Sequence, residues 1–213
     1  MLMQNKSVSK NKKLGIIGAS GHGKVVYDIA KLCDLYDEIA FFDDVVPSDD
    51  KIMCIGDCKS AYLSTDEYDF IVAIGNQNIR KRIYQELKEH NAFVATLVHP
   101  NAIVSSRVIM GEGTVVMAGA VINTDTTIGK GCIINTTSSI DHDCKICDFV
   151  HISVGAHICG TVVIGDNTWV GAGATVINNV SICDNCFLGA GTVVVKSISL
   201  PGKYVGIPSK MKK

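Results

Sequence analysis

Residues 127–146 read Thr127-Ile128-Gly129-Lys130-Gly131-Cys132-Ile133-Ile134-Asn135-Thr136-Thr137-Ser138-Ser139-Ile140-Asp141-His142-Asp143-Cys144-Lys145-Ile146, with isoleucine at 128, 134, 140 and 146. The step of six continues in both directions. It meets Val98, Val104, Met110, Val116 and Ile122 before this stretch, and Ile152, Ile158, Ile164, Val170, Val176, Ile182, Leu188, Val194 and Leu200 after it. All eighteen positions are aliphatic. A series this long without an exception is a structural period, and its unit is a hexad.

The residue four places after each aliphatic one is small or β-branched, as at Ala120, Thr126, Cys132, Ser138, Cys144, Val150, Ala156 and Cys186. Side chains alternate faces along a strand, so this residue and the aliphatic one two places later both point inward. Cys132, Cys144 and Cys186 are therefore expected inside. Positions two after the aliphatic residue include Glu112, Lys130, His142, Asp148, Asp166, Asn178 and Asp184, which suits a corner where the chain turns. Each hexad is then a short strand plus a corner. Three of them close a triangular turn of eighteen residues, and the whole stretch makes nearly six turns of a parallel β-helix. No proline lies between Asn101 and Leu200, as a ladder paired on both sides requires. The periodicity leaves the hand of the coil open.

The chain has 213 residues, 47% of them hydrophobic and 19% charged, and its 20 Lys+Arg nearly cancel its 21 Asp+Glu. That balance argues against disorder and supplies no basic field for nucleic acid. Met1 to Lys13 is polar and basic without an apolar core, and no stretch has about 18 uninterrupted apolar residues, so a soluble cytoplasmic protein with no membrane partner is expected. Of the nine cysteines, Cys144 and Cys147 form a nominal C-x-x-C match without a second pair at metal-binding spacing. Small thiols in a reducing compartment are the simpler reading, and no metal is expected.

The first half has a different pattern. Lys13-Leu14-Gly15-Ile16-Ile17 reads as a buried strand, followed by the turn Gly18-Ala19-Ser20-Gly21-His22-Gly23 and a helix from about Lys24 with Val25, Val26, Ile29, Ala30 and Cys33 on one face. A second strand, Ile39 to Phe42, ends at Asp43-Asp44. A third, Phe70 to Ile74, leads into Gly75-Asn76 and a helix from about Ile79 to His90. The order implies a parallel α/β sheet with crossovers. A Gly-rich turn before a helix, with carboxylates 20 to 25 positions on, can put a phosphate at a helix N-terminus and a ribose against an acid. About 90 residues precede the repeat, room for one mononucleotide half but not for a dinucleotide fold. The plainer alternative is a tight turn, with Asp43 and Asp44 solvating a strand end.

Ile128-Gly129, Ile164-Gly165, Val170-Gly171 and Leu188-Gly189, followed by residues 201–210 (Pro-Gly-Lys-Tyr-Val-Gly-Ile-Pro-Ser-Lys), resemble the left-handed β-helix hexapeptide acyltransferases. Gly18 to Gly23, Phe42-Asp43-Asp44, Ala73-Ile74-Gly75-Asn76 with Ile79-Arg80-Lys81, and Asn135 to Cys144 extend the likeness over almost the whole chain after Lys12. The pattern resembles the family of sialic-acid O-acetyltransferases and UDP-N-acetylbacillosamine N-acetyltransferases, its UDP-4-amino-sugar branch most of all. The resemblance implies a Rossmann-like nucleotide-sugar domain at 13–96 and a left-handed β-helix transferase domain with a C-terminal tail at 97–213. It implies acetyl-CoA-dependent N-acetylation of the 4-amino group of a UDP-linked 4-amino-4,6-dideoxy sugar, by a homotrimer with sites between neighbouring coils. Ser20, Gly21, His22, Asp43, Asp44 and Gly75 would hold the substrate's nucleotide part, and Asn135 the sugar amine.

Acetyl transfer from a thioester to an amine needs at least one well-placed base. His142 sits at a corner between Asp141 and Asp143, and a carboxylate bonded to one ring nitrogen fixes the tautomer and raises basicity at the other. By resemblance His142 is the general base and Asp143 tunes it, where the family pattern has Glu. Asp141 reads as ordinary corner chemistry. The resemblance places His151 at the acetyl-CoA thioester and the small residues Gly160, Ala172 and Gly189 along the pantetheine arm, whereas His157 reads as a surface residue. Phe149 and Trp169 read as outward contact surfaces. The alternatives are the same scaffold acting on a GDP-linked amino sugar or a sialic-acid hydroxyl, a zinc enzyme like the γ-type carbonic anhydrases built on His142, His151 and His157, or a non-catalytic scaffold.

Overall fold

The computed structural model describes residues 12–45 and 53–212. It divides into two compact units that meet in sequence at Pro100 and Asn101.

The first unit is a parallel sheet of β1 (Lys13–Ile17), β2 (Glu38–Phe42), β3 (Cys54–Gly56) and β4 (Tyr68–Val72), in the order β3-β2-β1-β4. Helices α1 (Gly21–Cys33), α2 (Cys58–Leu63) and α3 (Gln77–Glu89) connect or follow the strands. Leu14, Ile16 and Ile17 are fully buried, as a central parallel strand covered on both faces requires. Gly15 leaves room for the rings of Phe42 and Phe70, which meet edge to face with centroids 5.6 Å apart.

Several elements differ from the sequence expectation, α3 among them, which starts at Gln77 rather than about Ile79. Helix α1 begins at Gly21, three residues before Lys24, because the Lys24 N–H already donates to the Ser20 carbonyl at 3.1 Å. Gly23 belongs to this first turn, where a β-carbon would land on the Gly18 carbonyl oxygen. β4 covers 68–72 rather than 70–74, since Tyr68 and Asp69 are buried within it and the Tyr36 hydroxyl bonds Asp69 at 3.2 Å. β3 and α2 were not expected. They are only 3 and 6 residues long, below the length at which periodicity declares itself, and Asp57 starts α2 by accepting from the Ser60 N–H at 2.8 Å.

The second unit is the triangular coil. Two-residue strands repeat every six residues and pair in parallel with those eighteen residues away, as in Ile133↔His151, Ser139↔His157 and Thr127↔Lys145. The first face carries 115–116, 133–134, 151–152, 169–170 and 186–188. The second carries 103–104, 121–122, 139–140, 157–158, 175–176 and 193–194, and the third 109–110, 127–128, 145–146, 163–164 and 181–182. From Val116 to Val194 every residue of the aliphatic series is buried, each isoleucine contributing about 1.5–3 kcal/mol by leaving water. Cys132, Cys144 and Cys186 lie inside as expected.

Every sixth residue from Gly113 to Gly191 turns its corner with positive φ. Glycine, asparagine and aspartate adopt that conformation readily, but Thr137 (54°), Phe149 (58°) and Thr161 (59°) also hold it. Phe149 is 4% exposed, its ring filling the space beside Gly131 one rung earlier, so it is a core corner and not the outward contact expected.

The series fails at its last member. Ile198 rather than Leu200 bridges to Ile182, and Leu200 is 62% exposed. The final corner is two residues shorter, which shifts the spacing from eighteen to sixteen, and the strand Gly202–Val205 keeps the new offset where Cys186 faces Gly202. Lys210–Met211 then pairs antiparallel with it and finishes the sheet.

Candidate active site

The corners stack into three edges, and the expected site residues of the coil fall on two of them. His142 and Asp143 turn the corner between the second and third faces. Inside the coil, the Thr126 hydroxyl donates to the Asp141 carbonyl at 2.7 Å and accepts from the Cys144 N–H at 3.3 Å, which bolts this corner to the rung before. Outside, His142 Nδ1 bonds an Asp143 carboxylate oxygen at 2.8 Å, and Nε2 is left pointing away from that pair. The bond to Asp143 lifts the imidazole above its ordinary value of 6.5, with the Asp141 charge adding to it. Gly160 lies one rung further on, where a β-carbon would stand 2.8 Å from both Cε1 and Nε2. Gly160 thus makes room for the imidazole.

Asn135, His151, Ala172 and Gly189 gather along the edge between the first and second faces. Asn135 Nδ2 and His151 Nε2 are 3.1 Å apart. The His151 ring lies against Trp169, tilted by 31° with centroids 4.7 Å apart, and Trp169 Nε1 donates to Ser153 at 2.7 Å. His151 therefore leaves its strand outward, as expected, but is only 6% exposed beneath these neighbours. Gly155, Gly173 and Gly191 turn this edge with open space where a β-carbon would be. Ala172 sits among them, its carbonyl accepting from the Gly191 N–H at 2.9 Å. Gly189 is covered by Val205 of the last strand. The two groups lie on different edges of one prism. His157 is exposed and bonds Ser139 at 2.8 Å, so the three histidines do not converge, and among the described residues no group of three His, Cys, Asp or Glu could hold a metal.

In the first unit, the chain leaves β1 toward β2 on one side, while β4 lies on the other. Ligands of open parallel sheets bind outside the strand carboxyl ends at such a reversal. Gly18 to Gly23 and Ile74 to Asn76 lie there. Arg80, 1% exposed, donates to the carbonyls of Ile74 at 2.8 Å and Gly75 at 2.9 Å and so fixes the second loop. Ser20 begins α1 without a side-chain cap, and Gly21 and Gly75 border open space. Asp43 accepts from the Ala19 N–H at 2.7 Å and the Val45 N–H at 2.9 Å, and Asp44 from the Cys58 N–H at 3.0 Å. Both acids shape the crevice as well as charging it. Burial, helped by the Arg80 charge, lowers the His22 pKa to about 4, so His22 is neutral at ordinary pH and brings no positive charge to a phosphate.

Sequence reading gave Arg80 no role of its own, although its charge in an apolar helix face was a signal, and it passed over Asn123, eighteen residues before Asp141. It also passed over a second C-x-x-C, Cys183-Asp184-Asn185-Cys186, whose sulfurs stand 3.6 Å apart across the third edge.

A stacked triangular coil bearing a carboxylate-held imidazole, preceded by a small nucleotide-type sheet, defines a hexapeptide-repeat transferase. The PglD N-terminal domain model matches residues 13–87, and the bacterial transferase hexapeptide model matches residues 161–196. A Poxvirus A51 protein model also matches residues 64–156, across both units. The chain is 32% identical over 168 residues to GDP-perosamine N-acetyltransferase of Escherichia coli O157:H7, covering 74% of each. It is 36% identical over 113 residues to UDP-N-acetylbacillosamine N-acetyltransferase of Bacillus subtilis, a match spanning 52% of that relative's length. The acetyltransferase domain of PglB from Neisseria gonorrhoeae, solved with acetyl coenzyme A, superposes with a TM-score of 0.91 at 38% identity, covering 95% of this chain and all of that one. A variant of perosamine N-acetyltransferase from Caulobacter crescentus, solved with CoA and GDP-perosamine, gives 0.90 at 32% identity over 94% and 97%. The chain belongs to the family of hexapeptide-repeat sugar N-acetyltransferases, and its coil is the left-handed β-helix.

Proposed function

We propose that the protein transfers the acetyl group of acetyl-CoA to the 4-amino group of a nucleotide-linked 4-amino-4,6-dideoxy sugar, with UDP as the nucleotide. The observation that carries this reading is the His142–Asp143 pair on an exposed corner, in a chain alike over nearly its whole length to acetyltransferases of such sugars. With Nδ1 donating to Asp143, His142 Nε2 accepts the proton of the attacking amine, and Asp143 balances the imidazolium that forms. That imidazolium then returns the proton to the departing thiolate.

Residues 13–96 hold the nucleotide at the carboxyl ends of β1 and β4. There the N–H groups of Gly21 and His22 face the phosphates, Ser20 and Gly75 line the opening, and Asp43 and Asp44 lie toward the ribose. Residues 97–213 carry the transfer. The open edge of Gly155, Ala172, Gly173 and Gly191 lets an extended thioester arm lie against backbone, with Gly189 at its end. His151 meets the carbonyl oxygen, and Asn135 the sugar. Because this edge and the His142 edge are different edges of one coil, a complete site needs two chains, in keeping with a homotrimer in the cytoplasm.

A GDP-linked sugar is the second reading, favoured by the 74% coverage of the GDP-perosamine enzyme. Thiol release measured with UDP- and GDP-linked 4-amino sugars separates them. UDP substrate should give the higher kcat/KM, and a preference for GDP would overturn the nucleotide assignment.

A further inference from the structure

The Asp143 carboxylate is not the only one fixed beside the base. Asp141 Oδ1 accepts the His142 backbone N–H at 2.9 Å and, from the rung before, Asn123 Nδ2 at 2.9 Å. Its backbone carbonyl is tied inward to Thr126. Other corner carboxylates of the coil are also held from rung to rung, as where Asp148 accepts from the Lys130 N–H and Asp166 from the Asp148 N–H, but the one at Asp141 is held directly beside His142. Its carboxyl is kept below the ordinary range chiefly by the Asn123 bond and then by the His142 N–H, so Asp141 stays charged and does not compete for the proton. Along the same edge, Asp125 is engaged by Arg107 at 2.6 Å, Lys145 opens the strand after the His142 corner, and Lys196 lies at a later corner.

We propose that Asp141, held by Asn123, is a positioning residue for the base: it fixes the His142 backbone and keeps a second carboxylate beside the imidazole. The inference rests on His142 being the base. Two flanking charges support an imidazolium better than one, and a fixed backbone keeps Nε2 aimed while Gly160 limits the ring from the other side.

The test uses the full-length protein and nuclear magnetic resonance titration of His142 in the wild type, Asp141→Asn and Asn123→Ala, alongside kcat and KM over pH. Asp141→Asn keeps an oxygen that can accept the His142 N–H, so the corner stays folded and only the charge is lost. The His142 titration should move to lower pH, and kcat on its plateau should fall roughly 3- to 10-fold, with KM for acetyl-CoA and sugar within about twofold. Asn123→Ala should shift both readings in the same direction by less. An unchanged His142 titration in Asp141→Asn, or a shifted titration with unchanged kcat, overturns the proposal. Failure of the underlying reading is separate: it would appear as turnover surviving in His142→Asn, whatever the titrations show.

Discussion

The imidazole of His142 lies over Gly160, one full turn of the coil away, with 2.8 Å between its Cε1 or Nε2 and the point a β-carbon would occupy. The clash partner is the tip of a side chain, not backbone, so the ring can swing away from an alanine. Gly160→Ala should lower kcat by about tenfold or more through misplacement of the base, while the melting temperature changes little. Thermal unfolding alongside steady-state kinetics checks it. A loss of stability matching the loss of rate would show a packing role instead.

In the proposed role of base, His142 must be neutral to accept a proton. Because Asp143, and then Asp141, raise the His142 pKa above 6.5, kcat/KM should climb with pH through a value above 6.5 and then level. Asp143→Asn should move that rise downward. The linked stability runs the other way: a raised folded pKa favours the fold below the unfolded value and is lost as pH rises through the folded one. A rate profile flat from pH 6 to 8 would contradict the assignment.

Thr161 turns its corner at φ 59°, a conformation that costs a β-branched residue about 1–2 kcal/mol. Its N–H donates to the His142 carbonyl at 2.9 Å, a bond that glycine retains. Thr161→Gly should stabilise the protein by about 0.5–1 kcal/mol in denaturant unfolding after glycine's own chain entropy is deducted. Phe149→Gly, at the same φ, should destabilise instead, because its ring fills the space beside Gly131.

His22 is held neutral, with a pKa of about 4 against 6.5 unfolded. Its contribution is fully present above 6.5 and is lost as pH falls toward 4, because the unfolded chain takes up a proton that the fold resists. The difference corresponds to a loss on the order of 3 kcal/mol across that window. Unfolding measured at pH 7 and pH 4 should show it, and His22→Gln should remove most of the slope. An equal slope in the variant would mean that other groups titrate.

The coil was legible because every hexad repeats one instruction: an aliphatic residue inside, a small one two places earlier, and a polar corner. What the period could not show was where it stops. Leu200 fits the count, yet the last corner is two residues shorter and Ile198 takes the inner place. Phe149 failed for a related reason, since periodicity marks a corner without saying that Gly131 leaves a hole for a ring. In the first unit the long buried runs of β1 and β2 declared themselves, but β3 and α2 were too short. His142 with Asp143 was readable as neighbours in sequence. Asn123 and Gly160, each a whole turn away from the corner they serve, become its neighbours only once the coil is wound.

The most direct measurement is thiol release by His142→Asn with saturating acetyl-CoA and nucleotide-linked amino sugar, together with acetyl-CoA binding by calorimetry. A lost proton acceptor should cut kcat by roughly 10²–10⁴-fold while the binding constant stays within about twofold. Turnover close to that of the wild type would contradict the central claim that this corner imidazole takes the proton from the sugar amine.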